Sequence, residues 1–516
     1  MKNEFISGIG KINHQNENIF FNLNKDIDKI EILSNNIEIE SSIKSILNNE
    51  ISEFYTSSKI LELYKREFIE SLEGKGIVTI AYTTKHPFGC FSLNYFDSEF
   101  NVKVDFPKEI LFKICNNFKG KFSIITKPMK SFNWGQISNN SFENIMTSTQ
   151  VIAFCYKNEE NDYVWDKSNI YPDGLHVQSP LTSTEQYAQS CFEGMVAMVS
   201  ENGNIFILRP RDNAKRLRES CIFLGIPPLN EEQIIESIKY AIISNKKFIP
   251  TPCSDEKLYI RPYVKGLEGG YGVGPAYSYV FVVELFPYGS FIGNPKNSLK
   301  LVTIEGKRRS HEGGMGSVKA SGNYAQTIRD RQLAKNGEIP EYFGIKFDDV
   351  LYWGLQEKNT SINENSFIQT SEVLDEDAAG NIFFIRSNIN NVDIYTPSLS
   401  RKSILGGFVR STIIQIAKHL GYNVIEVDLQ ISDVLHMTGA FVTGSAIGLS
   451  KVKSIHYKGE EINFNTIEND NNKNNDLEVF NKLYALFYKL RKGDTTNLSD
   501  NILINYPYLV ANLNDL

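Results

Sequence analysis

Lys319 is set among residues that would hold an amine in one place. It stands in residues 311–325, HEGGMGSVKASGNYA, between a glycine-rich loop and the run GNYA that opens a helix. A lysine held there by backbone and packing, with a carbonyl beside it, would bond to the carbonyl carbon. Residues 403–420, SILGGFVRSTIIQIAKHL, set two glycines ahead of an amphipathic helix that ends at Gly421. A glycine turn feeding a helix N-terminus leaves N–H groups free and, with the helix dipole, reads either as an anion site or as a plain loop. Arg261 lies inside the apolar run LYIRPYV, residues 258–264. A buried charge needs a partner, so Arg261 either faces solvent at a strand end or points into a site. His86 and Cys90 are four apart with no second pair beside them, so no metal is expected.

The elements that position these residues follow from pattern. Residues 151–156, 204–209, 258–264 and 278–286 read as strands, the last, SYVFVVELF, as a core strand. RPRDNAKRLRESCIFLG reads as a helix capped by Asp212 and ended by Gly225. The run after Asn323 reads as a helix stopped at Asn336-Gly337, with Pro340 beyond. The polar stretch QEKNTSINENS after Gly354 reads as an inserted loop, and residues 477–516 as helix followed by loop. Residues 1–130 form a separate unit with a helix at 59–72 and a strand at 76–82, an appended packing, oligomerisation or regulatory domain.

At 516 residues, two or three domains are the prior. A net charge of −7 without a basic stripe gives no field for nucleic acid or an anionic membrane. There is no secretory signal pattern at the start and no apolar run long enough to span a bilayer. The six cysteines are far apart with no CxxC pair, which argues against zinc or a disulfide framework and for a reduced cytoplasmic enzyme.

Eight segments in order carry a family resemblance from about Asn133 to the end. They are FEGM at 192–195, RPRDNAKRL at 209–217, LYIRPY at 258–263, VGPAYSYVF at 273–281, GSVKASGNYA at 316–325, AAGNIFF at 378–384, LGGFVR at 405–410 and FVTGSA at 441–446. Together they resemble the branched-chain aminotransferases among the fold-type IV, pyridoxal-phosphate-dependent enzymes. The resemblance implies an α/β (α+β) fold with a smaller domain at 131–295 and a larger one at 296–516, the cofactor between them, and an N-terminal α/β extension. It implies a Schiff base between Lys319 and pyridoxal 5'-phosphate, with Tyr324 on the phenolic oxygen and Glu376 facing the pyridine nitrogen. Arg209, the turn from Leu405 with Phe408 and Val409, and Ser445 would hold the phosphate. Ala446, with Ser445, would meet the substrate carboxylate, and Tyr187, Phe192, Tyr259, Arg261 and Phe291 would line the side-chain pocket.

The residue types suit these roles. A carboxylate keeps the ring nitrogen protonated, and an arginine with a helix N-terminus suits a phosphate. Aromatic walls take an apolar amino acid, while Arg261 would meet the distal carboxylate of glutamate. The expected reaction moves the amino group of leucine, isoleucine or valine to 2-oxoglutarate, in a homodimer or higher homo-oligomer without nucleic-acid or membrane partners. A specialised transaminase for an unusual amino or keto acid, and a catalytically silent scaffold, are the alternatives. The segment DEDAAGN also admits a register with Glu372 at the ring nitrogen; the spacing from Glu376 to Asn381 favours Glu376.

Overall fold

The computed structural model describes residues 147–516 except 148, 159, 173–174, 179–181, 253–255, 268–271, 290–297, 363–364, 388–390, 465–474, 497, 499–500 and 516. Before residue 147 it describes the strands Gly8–His14, Glu17–Leu23, Ile30–Leu33, Ile77–Ala81, Phe91–Tyr95 and Ser123–Ile125. The helix expected at 59–72, the pair His86 and Cys90, and Phe291 lie outside the described residues.

Alternation along Lys257–Gly266 organises the first sheet. Leu258, Ile260 and Val264 are buried in one core cluster, whereas Tyr259, Arg261 and Tyr263 line a cavity on the opposite face. The strand pairs antiparallel with Tyr279–Tyr288 on one side and Met195–Val199 on the other. The path runs Pro507–Asn512, Asn204–Leu208, Met195–Val199, Lys257–Gly266, Tyr279–Tyr288, Thr149–Lys157 and Tyr163–Trp165, with Ser190–Phe192 added beside Lys257–Gly266. Helices Pro210–Phe223 and Glu231–Ser244 contribute Leu217, Ile234 and Ile238 to the core on the far face from the cavity. Each such side chain fully buried adds about 1.5–3 kcal/mol.

The second sheet runs Asn365–Asp377, Asp349–Ile362, Leu299–Val302, Gly448–Tyr457, Gly439–Gly444, Asn381–Ser387, Val392–Pro397 and Asn423–Val427. Leu299–Val302 pairs parallel with both neighbours, and the remaining pairs on this path are antiparallel except Val392–Pro397 with Asn423–Val427. Phe383 and Phe441 stack on one face, rings 5.0 Å apart, under helices Phe408–His419 and Asn475–Arg491.

Four readings of the sequence change. QEKNTSINENS is no loop: Asp349–Ile362 and Asn365–Asp377 form a long hairpin paired to its tip at Ile362↔Asn365. Its polar residues hid a backbone ladder that needs no apolar face to close. Residues after the C-terminal helix include the strand Pro507–Asn512, which returns to the first sheet beside Asn204–Leu208. Asp212 is not the cap of its helix; Arg209 is, at φ 54, with Pro210 as the first helical residue and Asp212 in the first turn. The strands before residue 147 form a sheet that Leu175–Gln178 joins, so pairing crosses the boundary drawn at residue 130.

Candidate active site

Lys319 is fixed from both sides. Its carbonyl accepts from Phe192 N at 3.1 Å, its amide donates to Ser220 Oγ at 3.4 Å, and Ala320 bridges to Cys191. Asn323 Nδ2 donates to Met315 O and Val318 O at 2.7 and 2.8 Å, closing the loop ahead of the lysine. Gly316 of that loop is needed for close approach: a Cβ there would lie 2.0 Å from Ser403 O. The lysine side chain is therefore aimed, and Nζ donates to Tyr324 OH at 3.0 Å. Burial would push the Tyr324 hydroxyl up, but the charges of Lys319 and Arg309 outweigh it and hold the group below its usual value.

Glu376 lies at the end of the hairpin's second strand, 3% exposed. It pairs with Arg309, accepts from Asn381 Nδ2 at 2.9 Å and from Leu405 N at 3.1 Å. Burial pushes its carboxyl up to about 7 against the pull of Arg309. Glu372 accepts from Tyr457 OH and Lys458 Nζ at 2.9 and 3.2 Å near the surface and lines neither of the two cavities beside Lys319.

The narrower cavity, about 40 Å³, joins Glu376 to Lys319 and Tyr324 and is lined by Leu405, Gly407, Phe408, Val409 and Ser445. The Phe408–His419 helix begins there, and its first-turn N–H groups have no helical carbonyl to meet. Gly407 has no room for a side chain, since a Cβ would sit 2.2 Å from Asn381 Oδ1.

Arg209 does not reach this cavity. Its guanidinium bonds Asp212 at 2.6 Å and Ser411 Oγ at 2.6 Å and stacks over Tyr506, centroid 4.3 Å. The cavity is lined instead by Arg216, two turns further along the same helix. Arg216 donates to both oxygens of Glu193, at 2.7 and 2.9 Å, and to Gly406 O at 2.7 Å, and lies 4.1 Å over the Phe408 ring. Glu193 is 0% exposed; burial would raise its pKa, but Arg216 lowers it below the usual value. RPRDNAKRL offers three arginines, and the helix geometry rather than their order selects the one that faces the turn. Glu193, inside FEGM but given no role there, and Arg309, outside every motif, are two more residues of this site.

A wider cavity of about 620 Å³ opens beyond Lys319 and Tyr324. Phe192, Tyr259, Arg261 and Ala446 line it, and Ser445 borders both cavities. Arg261 thus points into the site. Its guanidinium lies 4.6 Å over the Phe192 ring and donates to Tyr259 OH at 3.2 Å, while its buried Nε has no partner. Burial would lower its pKa, but Tyr259, Tyr324 and Glu284 raise it above its usual value. Tyr187 is not in the wall; it ends the short helix Ser183–Tyr187 and is 37% exposed. Ser445 O accepts from Arg491 at 2.5 Å and Ala446 O from Tyr288 OH at 2.9 Å. Because a trans peptide sets its N–H opposite its carbonyl, this anchors the turn with the Ala446 amide turned away from Arg491. Among the described residues no His, Cys, Asp and Glu cluster has metal-site form, and no helix is long and apolar enough to cross a membrane.

Comparison with known proteins agrees with this geometry. The family model for amino-transferase class IV matches residues 190–455, just over half the chain. Branched-chain amino acid aminotransferase 2, chloroplastic, of Humulus lupulus is 31% identical over 287 residues, covering 56% of this chain and 64% of that protein. The chain thus spans a little under two thirds of that relative's length. A probable branched-chain-amino-acid aminotransferase of Staphylococcus aureus is 30% identical over 340 residues, covering 64% of this chain and 85% of that protein. The crystal structure of the branched-chain aminotransferase from the archaeon Thermoproteus uzoniensis with norvaline superposes with a TM-score of 0.50 at 18% identity, covering 70% of this chain and 100% of that one. That likeness is one of fold, the fold-type IV arrangement of two α/β units. With the Lys319 loop, Glu376 and the Phe408 helix all inside the matched segment, the chain belongs to the class IV aminotransferases.

Proposed function

We propose that this protein transfers the amino group of leucine, isoleucine or valine to 2-oxoglutarate, giving the branched-chain 2-oxo acid and glutamate, with pyridoxal 5'-phosphate as cofactor. One observation carries the reading: an amine, a phenol and a buried carboxylate, Lys319, Tyr324 and Glu376, border a single cavity at a helix N-terminus. The names of the relatives support the substrate class. The donor set suits the cofactor. Arg216 and the N–H groups at Phe408 and Val409 form an anion cradle with Ser445, and Glu376 is a carboxylate for a basic ring nitrogen. When bound, pyridoxal 5'-phosphate supplies the carbonyl that takes the amino group and the ring that accepts electrons released at the substrate Cα.

The chain's own residues supply the remainder. Lys319 Nζ takes and returns the proton at the substrate Cα, and Tyr324 OH, 3.0 Å away, holds that amine in place. Arg309, Asn381 and the Leu405 amide orient the Glu376 carboxylate. The amide of Ala446 meets the substrate carboxylate, Phe192 and Tyr259 give the apolar wall, and Arg261 takes the distal carboxylate of glutamate. We infer a smaller domain at 131–295 and a larger one at 296–516, a reading supported by the separation of the two sheets beside the cavity, with Pro507–Asn512 crossing back. A homodimer in the cytoplasm completes the proposal, tested by light scattering and cell fractionation.

The decisive experiment compares the purified protein with Lys319→Ala. The wild type is expected to show visible absorbance of bound cofactor and to form glutamate from leucine and 2-oxoglutarate; the variant should do neither. Full activity in Lys319→Ala refutes the proposal.

A further inference from the structure

The wide cavity contains a carboxylate that the proposed reaction does not use. The core strand Tyr279–Tyr288 is apolar along almost its whole length, yet carries Glu284, 8% exposed, into the cavity wall. The register sets Glu284 directly opposite Arg261, and Tyr263 OH donates to Glu284 Oε1 at 3.2 Å. Directly opposed antiparallel residues hold their Cβ atoms roughly 5 Å apart, so the two charges share one patch of wall. Arg261 has its Nε buried without a partner and its face against Phe192, so it is held by packing and keeps donor capacity.

A pocket that serves both an apolar side chain and a dicarboxylate has a conflict at this arginine. A bare guanidinium favours the dicarboxylate and leaves an uncompensated buried charge when an apolar side chain is bound. A fixed carboxylate opposite it offsets that charge and repels the distal carboxylate of glutamate. We propose that Glu284 is a specificity-determining residue, the internal counter-charge of Arg261, which shifts the preference of the pocket from dicarboxylate toward uncharged side chains. The inference deepens the proposed transaminase reading of this site and rests on it. Lys265, which lines the same cavity two residues beyond Tyr263, adds a second positive charge to its wall. Charges about 6 Å apart at an effective dielectric near 20 would change the affinity of an anion by on the order of a hundredfold, which solvent in an open cavity screens to about tenfold.

The test uses the cofactor-loaded full-length protein and two unreactive acids, glutarate and 4-methylpentanoate, titrated by calorimetry. In Glu284→Gln and Glu284→Ala, the affinity for glutarate relative to 4-methylpentanoate should rise about tenfold over the wild type. In Tyr263→Phe, which removes the hydrogen bond but no charge, the ratio should stay at the wild-type value. An unchanged or lowered ratio in the Glu284 variants overturns the inference. So does a Tyr263→Phe protein that reproduces their effect, since Glu284 would then act only by holding Tyr263. If Glu284→Gln fails to fold, Glu284→Ala, which leaves no polar group to bury, carries the test. Wild-type protein that binds both acids but converts neither leucine nor glutamate would refute the proposed transamination while the affinity ratio still decides the role of Glu284.

Discussion

Replacing Arg216 by lysine and, separately, Arg209 by glutamine sets the geometry against the order of the motif. Arg216 borders the cavity between Lys319 and the Phe408 helix and is anchored by three bonds of 2.7–2.9 Å to Glu193 and Gly406. Lysine keeps one positive charge beside Glu193, so no buried carboxylate is stranded, but it cannot hold both oxygens and still present a donor to an anion. A hydrogen bond to a charged group is worth about 1.5–3 kcal/mol, so Arg216→Lys should weaken cofactor binding by roughly ten- to a hundredfold. Arg209 has its guanidinium engaged by Asp212, Ser411 and Tyr506 outside the cavity, and Asp212 is itself 44% exposed. The Arg209 side chain is 13% exposed, so its loss will cost stability, but it borders neither cavity and cofactor affinity should change by less than about threefold. Titrating cofactor-free protein with pyridoxal 5'-phosphate, with near-ultraviolet circular dichroism as the control for folding, measures both. A tenfold or larger loss in Arg209→Gln with none in Arg216→Lys would refute the assignment of Arg216 to the cavity.

The pH dependence of the cofactor-free protein should report Glu376. Its folded pKa is about 7 against an ordinary 4.5, so the unfolded chain releases the proton first and the group's contribution to stability is lost as pH rises through that window. The loss is on the order of 3 kcal/mol, and Glu376→Gln should flatten the slope of urea-unfolding free energy between about pH 5 and 7; an unaltered slope counts against the buried carboxyl. Gly316→Ala places a Cβ 2.0 Å from the Ser403 carbonyl, a backbone atom, and should cost at least roughly 1–3 kcal/mol in thermal unfolding. Gly194→Ala meets the far end of a side chain instead, Tyr259 OH at 2.1 Å, so the chain should fold while KM for the amino donor rises by roughly tenfold.

What could be read from the sequence depended on whether periodicity or long-range packing decided the outcome. The strand at Tyr279–Tyr288 and the helix after Gly407 were legible because an apolar run and an amphipathic stripe are local signals. Arg261 was legible only as a dilemma. Period-two alternation puts it on the face of Tyr259 and Tyr263, but which face meets the cavity depends on helices Pro210–Phe223 and Glu231–Ser244 covering the other. The outer half of the hairpin was missed because residues 356–366 are polar in sequence, and backbone pairing has no composition signal. Glu284 and Arg309 carried no motif at all; burial among apolar or acidic neighbours is what makes them informative, and burial is a tertiary property.

The segment DEDAAGN shows why three adjacent carboxylates are not interchangeable. In a strand, Asp375 and Asp377 point to one side and Glu376 to the other. Asp375 is bound by Arg401 and Ser403, both at 2.7 Å. Asp377 accepts from the Ala379 and Gly380 amides in the turn that reverses the chain. Both flanking acids are therefore consumed in building the hairpin's return to Asn381–Ser387. Their charge is also what pushes the Glu376 carboxyl up, after burial, while Arg309 opposes it. Glu376 lies at the balance of these effects, burial and its acidic neighbours raising the carboxyl and Arg309 lowering it. Without Arg309 burial would raise the carboxyl further, and without Asp375 and Asp377 it would ionise more readily; the cluster sets Glu376 between the two.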